Sequence, residues 1–180
     1  MFLLDGAFTV LCIVEVVVVL LFSFLFRKLP PGVVAILYFI YAIINGVSLS
    51  VIFYAFQMES IVLVFFSAAA LFGVFAFLGY KTNADLTNIG TMCLGVLLVG
   101  VLLSIINLFI GNNLLNIILD WVMLIIFFGI TAYDLQKLKM MQSSGAIADD
   151  KLHIYGAMEI YLDFINIFIK LLRLFGKERN

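Results

Sequence analysis

The sequence contains few charged residues and few metal-binding residues. Asp, Glu, Lys and Arg make up 12% of its 180 residues, about half the share found in an ordinary soluble domain. One histidine and two cysteines are too few ligands for a zinc or iron–sulfur site. Cys12 and Cys93 each lie inside an apolar run, which is typical of small core residues rather than of a disulfide framework. The net charge of −1 offers nothing to attract a nucleic acid.

Apolar residues are correspondingly abundant. They make up 66% of the chain, and 19 of them are Phe. A soluble protein of this size could not bury so much apolar surface, so lipid must be its solvent. The composition therefore excludes a disordered chain, a nucleic-acid-binding protein and a soluble enzyme. It predicts that the lipid bilayer is a partner of this chain.

The apolar runs predict an all-α, polytopic membrane bundle in one domain, residues 1–180. Runs such as Val16–Leu21 do not alternate in polarity, as strands of a membrane barrel would. A membrane-spanning helix needs about 20 apolar residues, and six segments meet this requirement. They are Phe8–Phe26, Val33–Phe56, Ser60–Tyr80, Thr91–Ile110, Leu114–Tyr133 and Ile154–Phe175. The connections are short except for Lys137–Lys151, which is predicted to be an exposed, mobile loop.

The distribution of Lys and Arg predicts the orientation of the bundle. The loops on one side carry six basic residues, and the loops after the second and fourth spans carry none, so the first side is predicted to be cytoplasmic. Lys177 and Arg179 follow the sixth span and do not fit this pattern. Either the C-terminus is an exception or the last segment re-enters the membrane. The six basic residues are Arg27, Lys28, Lys81, Lys137, Lys139 and Lys151.

Polar residues form one stripe along the last span. They recur at spacings of three and four, which places them on a single helix face that should line a bundle interior or a water cavity. Lys170 and Arg173 are expected to snorkel to the headgroups, but Asp163 is too short to do so. The stripe consists of Glu159, Asp163, Asn166, Lys170, Arg173 and Lys177.

Other carboxylates lie in earlier spans. Asp134 is expected either to pair with Lys137 or Lys170 or to share a proton, because like charges cannot both stay ionised in a low dielectric. Asp120 is predicted to be interfacial. Glu15 lies in the middle of the first span, so it is either protonated or faces the same cavity as the stripe.

Four segments of the chain resemble the Bax inhibitor family, the transmembrane Bax-inhibitor-motif proteins, in the correct order and spacing. They are Tyr41–Phe53 (YAIINGVSLSVIF), Gly79–Gly90 (GYKTNADLTNIG), Ile130–Lys139 (ITAYDLQKLK) and Gly156–Phe168 (GAMEIYLDFINIF). The resemblance implies a seven-helix fold in which the last helix runs through the middle of the others. Because six spans are found here, the family's first helix is expected to be missing before Phe8.

The resemblance also implies a function. Bacterial members of the family are pH-sensitive calcium leak proteins, and eukaryotic members act in calcium homeostasis and suppress cell death. An aspartate pair shares a proton as the pH sensor, and by motif this pair is Asp134 and Asp163. Glu15 matches a membrane glutamate of the family. An arginine that latches the closed pore is matched most nearly by Arg27, one residue from the expected place, which Phe26 holds.

The resulting hypothesis is a non-enzymatic calcium leak in a bacterial inner membrane rather than an organelle membrane. Protonation of Asp134 and Asp163 would gate the passage of calcium, and their oxygens would serve as its ligands. Glu15, Glu159 and Asn166 would line the ion pathway, and Arg27 or Lys170 would form a latch or ion pair. No cofactor is expected, and calcium enters as the transported ion. Two alternatives remain open: a non-conducting scaffold that binds membrane proteins, and an intramembrane aspartyl protease, for which only Tyr133-Asp134 fits.

Overall fold

A computed structural model describes residues 29–145 and 149–179 as a helix bundle. Apart from one isolated bridge, these residues contain no strand. Four of the helices contain segments that are long and apolar enough to cross a membrane: Pro31–Ala55, Met58–Lys81, Thr87–Asn107 and Asn113–Ser144. The helices are α1 (Pro31–Ala55), α2 (Met58–Lys81), α3 (Thr87–Ile110), α4 (Asn113–Ser144) and α5 (Asp149–Phe175). The all-α membrane bundle is therefore confirmed.

Two helices continue well beyond the apolar runs that predict them. Helix α4 extends eleven residues past Tyr133, and α5 begins five residues before Ile154. The prediction of a long, mobile loop over Lys137–Lys151 is therefore wrong. A helix can leave the bilayer and continue in water with polar residues, so an apolar run gives only its membrane-embedded part. The predicted first span, Phe8–Phe26, lies outside the described residues.

Helices α4 and α5 lie at the centre of the packing. Helix α5 packs against α1, α2 and α4, while α4 packs against α2, α3 and α5. The main core between these helices is apolar, although buried polar side chains also lie between α4 and α5. The outer faces of α1, α2 and α3 expose large aliphatic and aromatic side chains, as expected where lipid is the solvent. The main core consists of Ile61, Val64, Ala68, Leu124, Ile126, Phe127, Ile130, Ile167, Phe168, Leu171 and Leu172.

Two glycines bring α2 and α3 into close contact with α4. A Cβ atom on Gly79 would overlap the carbonyl oxygen of Ala132, and a Cβ atom on Gly90 would overlap the ring of Tyr133. Only glycine permits such a close approach of backbone to its neighbour. These contacts fix the part of α4 that immediately precedes Asp134.

The turn between α3 and α4 is held by asparagines. Helix α3 ends at Gly111, whose φ of 70° is in the left-handed region that favours glycine. The buried side chain of Asn107 donates to the carbonyl oxygen of Asn112 at 2.9 Å and to Oδ1 of Asn116 at 2.7 Å. Asn112 in turn caps α4 by accepting a hydrogen bond from the backbone N–H of Leu115 at 3.1 Å.

The C-terminal tail packs on the turn between α1 and α2. The backbone N–H of Gln57 donates to the carbonyl oxygen of Lys177, and that of Arg179 donates to Ala55, both at 2.9 Å. Helix α5 begins near the C-terminal end of α4 and ends beside the turn between α1 and α2, so it runs along the whole bundle. Lys177 and Arg179 therefore lie at the same end of the bundle as that turn.

Candidate functional site

Two groups of polar side chains lie between α4 and α5, which run antiparallel to each other. The first, the acidic cluster, consists of Asp134 and Lys137 on α4 with Tyr155, Glu159 and Asp163 on α5. The second, the ion-pair cluster, consists of Asp120 on α4 with Lys170 and Arg173 on α5. Asp120 and Asp134 are separated by about 21 Å along α4, at 1.5 Å per residue.

The Lys137 ammonium lies at the middle of the acidic cluster. Its Nζ lies 2.7 Å from Oε1 of Glu159, 2.7 Å from the hydroxyl oxygen of Tyr155 and 3.7 Å from Oδ1 of Asp134. The ammonium also lies 5.0 Å from the ring centre of Tyr155 and 5.9 Å from that of Tyr133. One cation is therefore surrounded by oxygens of three side chains, with the Tyr133 ring 5.9 Å away.

Asp163 is the most deeply buried acid of this cluster, with 4% of its surface exposed. The carboxyl groups of Asp134 and Glu159 both lie within electrostatic range of it, and the nearby Thr131 hydroxyl on α4 donates to the carbonyl oxygen of Phe127 at 2.8 Å. Its Oδ2 atom is buried and has no hydrogen-bond partner among the described residues, and the same holds for Oε2 of Glu159. A buried oxygen without a partner is costly, so this cluster has unused capacity for a proton or a cation.

The ion-pair cluster is fully paired. Oδ1 of Asp120 lies 2.9 Å from Nζ of Lys170, and Oδ2 lies 3.0 Å from Nε of Arg173. Asp120 is only 5% exposed, and the structure places it inside the protein near the start of α4. The expected snorkelling of Lys170 is wrong, because its ammonium turns inward to meet this carboxylate. The buried charge on α4 attracts the cations on the neighbouring helix.

An apolar layer separates the two clusters. Phe127 and Ile130 on α4 and Ile167 on α5 lie between them along the chain and are buried in the main core. Asn166, a predicted pathway residue, lies beside this layer and donates its side-chain N–H to the carbonyl oxygen of Leu162 at 2.8 Å. The two clusters are therefore separated by apolar side chains along the α4–α5 interface.

Gln136 is a buried polar residue that the sequence analysis missed. Its Nε2 donates to the carbonyl oxygen of Ala84 at 2.7 Å, and its Oε1 accepts from the backbone N–H of Leu86 at 2.9 Å. The side chain thus holds the loop between α2 and α3 against α4, directly beside Lys137. A lone glutamine near a helix end gives no sequence signal for such a contact.

The sequence analysis also missed Tyr155, although a signal was present. Tyr155 lies four residues before Glu159, so it extends the polar stripe by one helical turn. The predicted ligand role of Asp134 and Asp163 gains no support, because the described residues contain no group of three or more acidic, histidine or cysteine side chains that could hold a metal ion. The Lys137 ammonium already fills the centre of the cluster. Glu15 and Arg27 lie outside the described residues.

Comparison with known proteins assigns the chain to a family. The profile described as "Inhibitor of apoptosis-promoting Bax1" matches residues 1–180. The chain belongs to the Bax inhibitor family. It is 37% identical to the inner membrane protein YbhL of Escherichia coli K12 over 173 residues, which cover 94% of this chain and 74% of the relative.

Other bacterial relatives are similar over nearly the same region. An uncharacterized membrane protein of Streptococcus pyogenes serotype M3 is 35% identical over 167 residues, covering 92% of this chain and 72% of the relative. A protein of Rickettsia prowazekii is 31% identical over 177 residues, covering 97% and 75%. The chain is a multi-pass integral membrane protein of the bacterial inner membrane, as predicted from its composition and the resemblance.

Proposed function

We propose that this protein is a pH-sensitive calcium leak and that the acidic cluster controls the passage of the ion. One observation carries the proposal: the buried α4–α5 interface holds three carboxyl groups and a single ammonium, which contacts only Asp134 and Glu159, and two of the carboxyl oxygens have no partner among the described residues. If all three carboxyl groups were ionised, the cluster would carry a net charge of −2 in a low dielectric. Such an arrangement needs a proton or a cation to be stable.

Gain or loss of a proton by this cluster then controls whether the ion passes. The carboxyl groups of Asp134 and Asp163 come from different helices, so a proton shared between them joins α4 to α5. Loss of this proton leaves negative charges on both helices and increases the repulsion between α4 and α5. Apolar side chains separate the two clusters, so passage of an ion along this interface would require α4 and α5 to move apart.

Calcium is the ion that this site suits best by chemistry. Hard divalent cations prefer oxygen ligands, carboxylates above all, and the cluster provides three carboxyl groups. Glu159 would hold the ion next to the pair, and Asn166 would meet it about one helical turn past Asp163 along α5. Glu15 would be a further carboxylate on this pathway. No catalytic step is assigned to the aspartates.

The test is calcium flux into proteoliposomes that contain the purified protein and an internal calcium indicator. Flux through the wild type should change with pH, and Asp163→Asn should remove that dependence while leaving the protein folded. Asp150→Asn is the matched control, since it makes the same chemical change at an exposed site at the start of the same helix. Folded wild-type protein without flux at any pH would contradict the proposal, as would an unchanged pH profile in Asp163→Asn.

A further inference from the structure

An apolar groove lies between α1, α2 and α5. It starts at the turn between α1 and α2 and extends toward the middle of the bundle, with a volume of about 330 Å³. The described side chains that line it are all aliphatic, aromatic or methionine. Phe53 on α1 and Phe66 on α2, both lining residues, are more than half exposed, so the groove is open on its outer side. An acyl chain suits such a groove, because neither surface offers a polar group.

The C-terminal tail is fixed at the end of this groove. The backbone N–H of Lys177 donates to Oγ of Ser60 at 2.9 Å, and the side-chain amide of Gln57 donates to the carbonyl oxygen of Glu178 at 3.2 Å. Ser60 immediately precedes Ile61, which lines the groove. The charged tail therefore lies where the apolar groove reaches the start of α2.

The tail and the start of α2 together carry two positive and two negative side chains. They are Lys177, Arg179, Glu59 and Glu178. All four are exposed, and none forms an ion pair with another described residue. Glu59 lies in the first turn of a helix that is long and apolar enough to cross the membrane, which places these charges at the level of the lipid headgroups.

We infer that the groove binds an acyl chain of a zwitterionic glycerophospholipid whose headgroup contains a phosphate and a primary ammonium. Lys177 and Arg179 pair with the phosphate. Glu59 and Glu178 pair with the ammonium. A zwitterionic headgroup matches the balanced charge of this end of the bundle, whereas an anionic headgroup meets two carboxylates as well as two cations. A lipid phosphate also gives the basic tail a partner at an end where the loops carry no Lys or Arg.

Binding is measured on the full chain in vesicles, through quenching of tryptophan fluorescence by brominated acyl chains. Trp121, the chain's one tryptophan, is first replaced by Phe. Phe53→Trp then places the reporter in the groove. Phe109→Trp is the matched control, because Phe109 is 88% exposed near the end of α3 and does not line the groove.

The vesicles contain one brominated lipid in unbrominated phosphatidylcholine. Brominated phosphatidylethanolamine should bind at the Phe53→Trp reporter about fivefold more strongly than brominated phosphatidylcholine or phosphatidylglycerol, as expected for two exposed ion pairs. Phosphatidylcholine is the informative comparison, since its fully methylated ammonium has no N–H to donate to a carboxylate. Phe109→Trp should respond equally to all three lipids.

Three variants in the Phe53→Trp background locate the effect. Lys177→Gln with Arg179→Gln removes the partners of the phosphate and should abolish the preference for phosphatidylethanolamine. Glu59→Gln with Glu178→Gln leaves two cations, so the preference should move to the anionic phosphatidylglycerol. Val62→Phe fills part of the groove without a change of charge, and it should also abolish the preference.

Thermal unfolding confirms that each variant is folded, and Phe66→Trp serves as the reporter if Phe53→Trp does not fold. Equal binding of all three lipids at the groove reporter would overturn the inference. So would a groove reporter that no brominated lipid quenches, because protein then covers the groove, either a second copy of this chain or its own residues 8–26. A preference for phosphatidylethanolamine that persists in Lys177→Gln with Arg179→Gln would contradict the assigned headgroup contacts.

Discussion

The two polar clusters of the α4–α5 interface differ in how their charges are balanced. In the ion-pair cluster, one carboxylate meets two cations, and each of its oxygens has a partner. The acidic cluster contains three carboxyl groups and one cation, which contacts two of them, and two carboxyl oxygens have no partner among the described residues. The same pair of helices therefore carries one cluster suited to holding the interface together and another suited to exchanging a proton or an ion.

The largest expected effect is at the ion-pair cluster. Asp120→Asn leaves the cation of Lys170, whose side chain is 14% exposed, without its charged partner. We expect the free energy of unfolding to fall by about 3 kcal/mol, at the low end for breaking a buried pair because Arg173 can reach water. Reversible unfolding in mixed micelles measures this loss. A change no greater than that of Asp150→Asn would mean that the cluster does not hold the helices together.

A neutral contact near the other end of α4 should have a smaller effect. Gln136→Leu removes both hydrogen bonds to the loop between α2 and α3, and leaves the backbone groups of Ala84 and Leu86 without that partner. We expect a loss of about 2 kcal/mol in the same unfolding measurement. Gln136→Glu is the companion variant, since its carboxylate can accept from Leu86 but, when ionised, cannot donate to Ala84. The stability loss of Gln136→Glu should therefore increase as the introduced carboxyl group ionises with rising pH. A loss that does not change with pH would contradict the role of this contact.

The acidic cluster should respond to neutralisation in the opposite direction. Asp163→Asn removes a buried acid that has an oxygen without a partner, and it lowers the negative charge beside Asp134 and Glu159. We expect stability at neutral pH to stay the same or to rise by about 1 kcal/mol. A loss as large as that of Asp120→Asn would show that both clusters serve only to hold the helices together.

The smallest change is expected when the ion pair is replaced as a unit. Asp120→Leu combined with Lys170→Met exchanges a buried pair for apolar side chains, which proteins often tolerate without loss. Arg173 stays in contact with water, since its side chain is 45% exposed. Stability should return to nearly the wild-type value. If the double variant is as unstable as Asp120→Asn, the cost lies in packing and not in an unpaired charge.

The sequence predicts the bundle and the polar face of its last helix, but not the partners of that face. A spacing of three and four residues places Glu159, Asp163 and Lys170 on one stripe, and the structure directs that stripe toward α4. The stripe alone cannot show which α4 residue each member meets, because this depends on the register of two antiparallel helices. The inward turn of Lys170 toward Asp120 is decided by that register.

The contacts of α4 with the other helices could not be predicted from the sequence either. The apolar run ends at Tyr133, while the helix continues to Ser144 and brings Gln136 and Lys137 into buried contacts. Gly79 and Gly90 set the distance between helices, which no local pattern reports. The pairing of Asp134 with Lys137, by contrast, follows from their spacing of three on one helix, and the two charges lie 3.7 Å apart.

The central claim is that the acidic cluster holds an exchangeable proton near neutral pH. Infrared difference spectroscopy of the reconstituted protein tests it through the C=O stretch of a protonated carboxylic acid. A titrating band should appear in the wild type and in Asp150→Asn, and it should disappear in Asp134→Asn and Asp163→Asn. A wild-type spectrum that contains only ionised carboxylates at neutral pH, or a band unaffected by Asp163→Asn, would contradict the account.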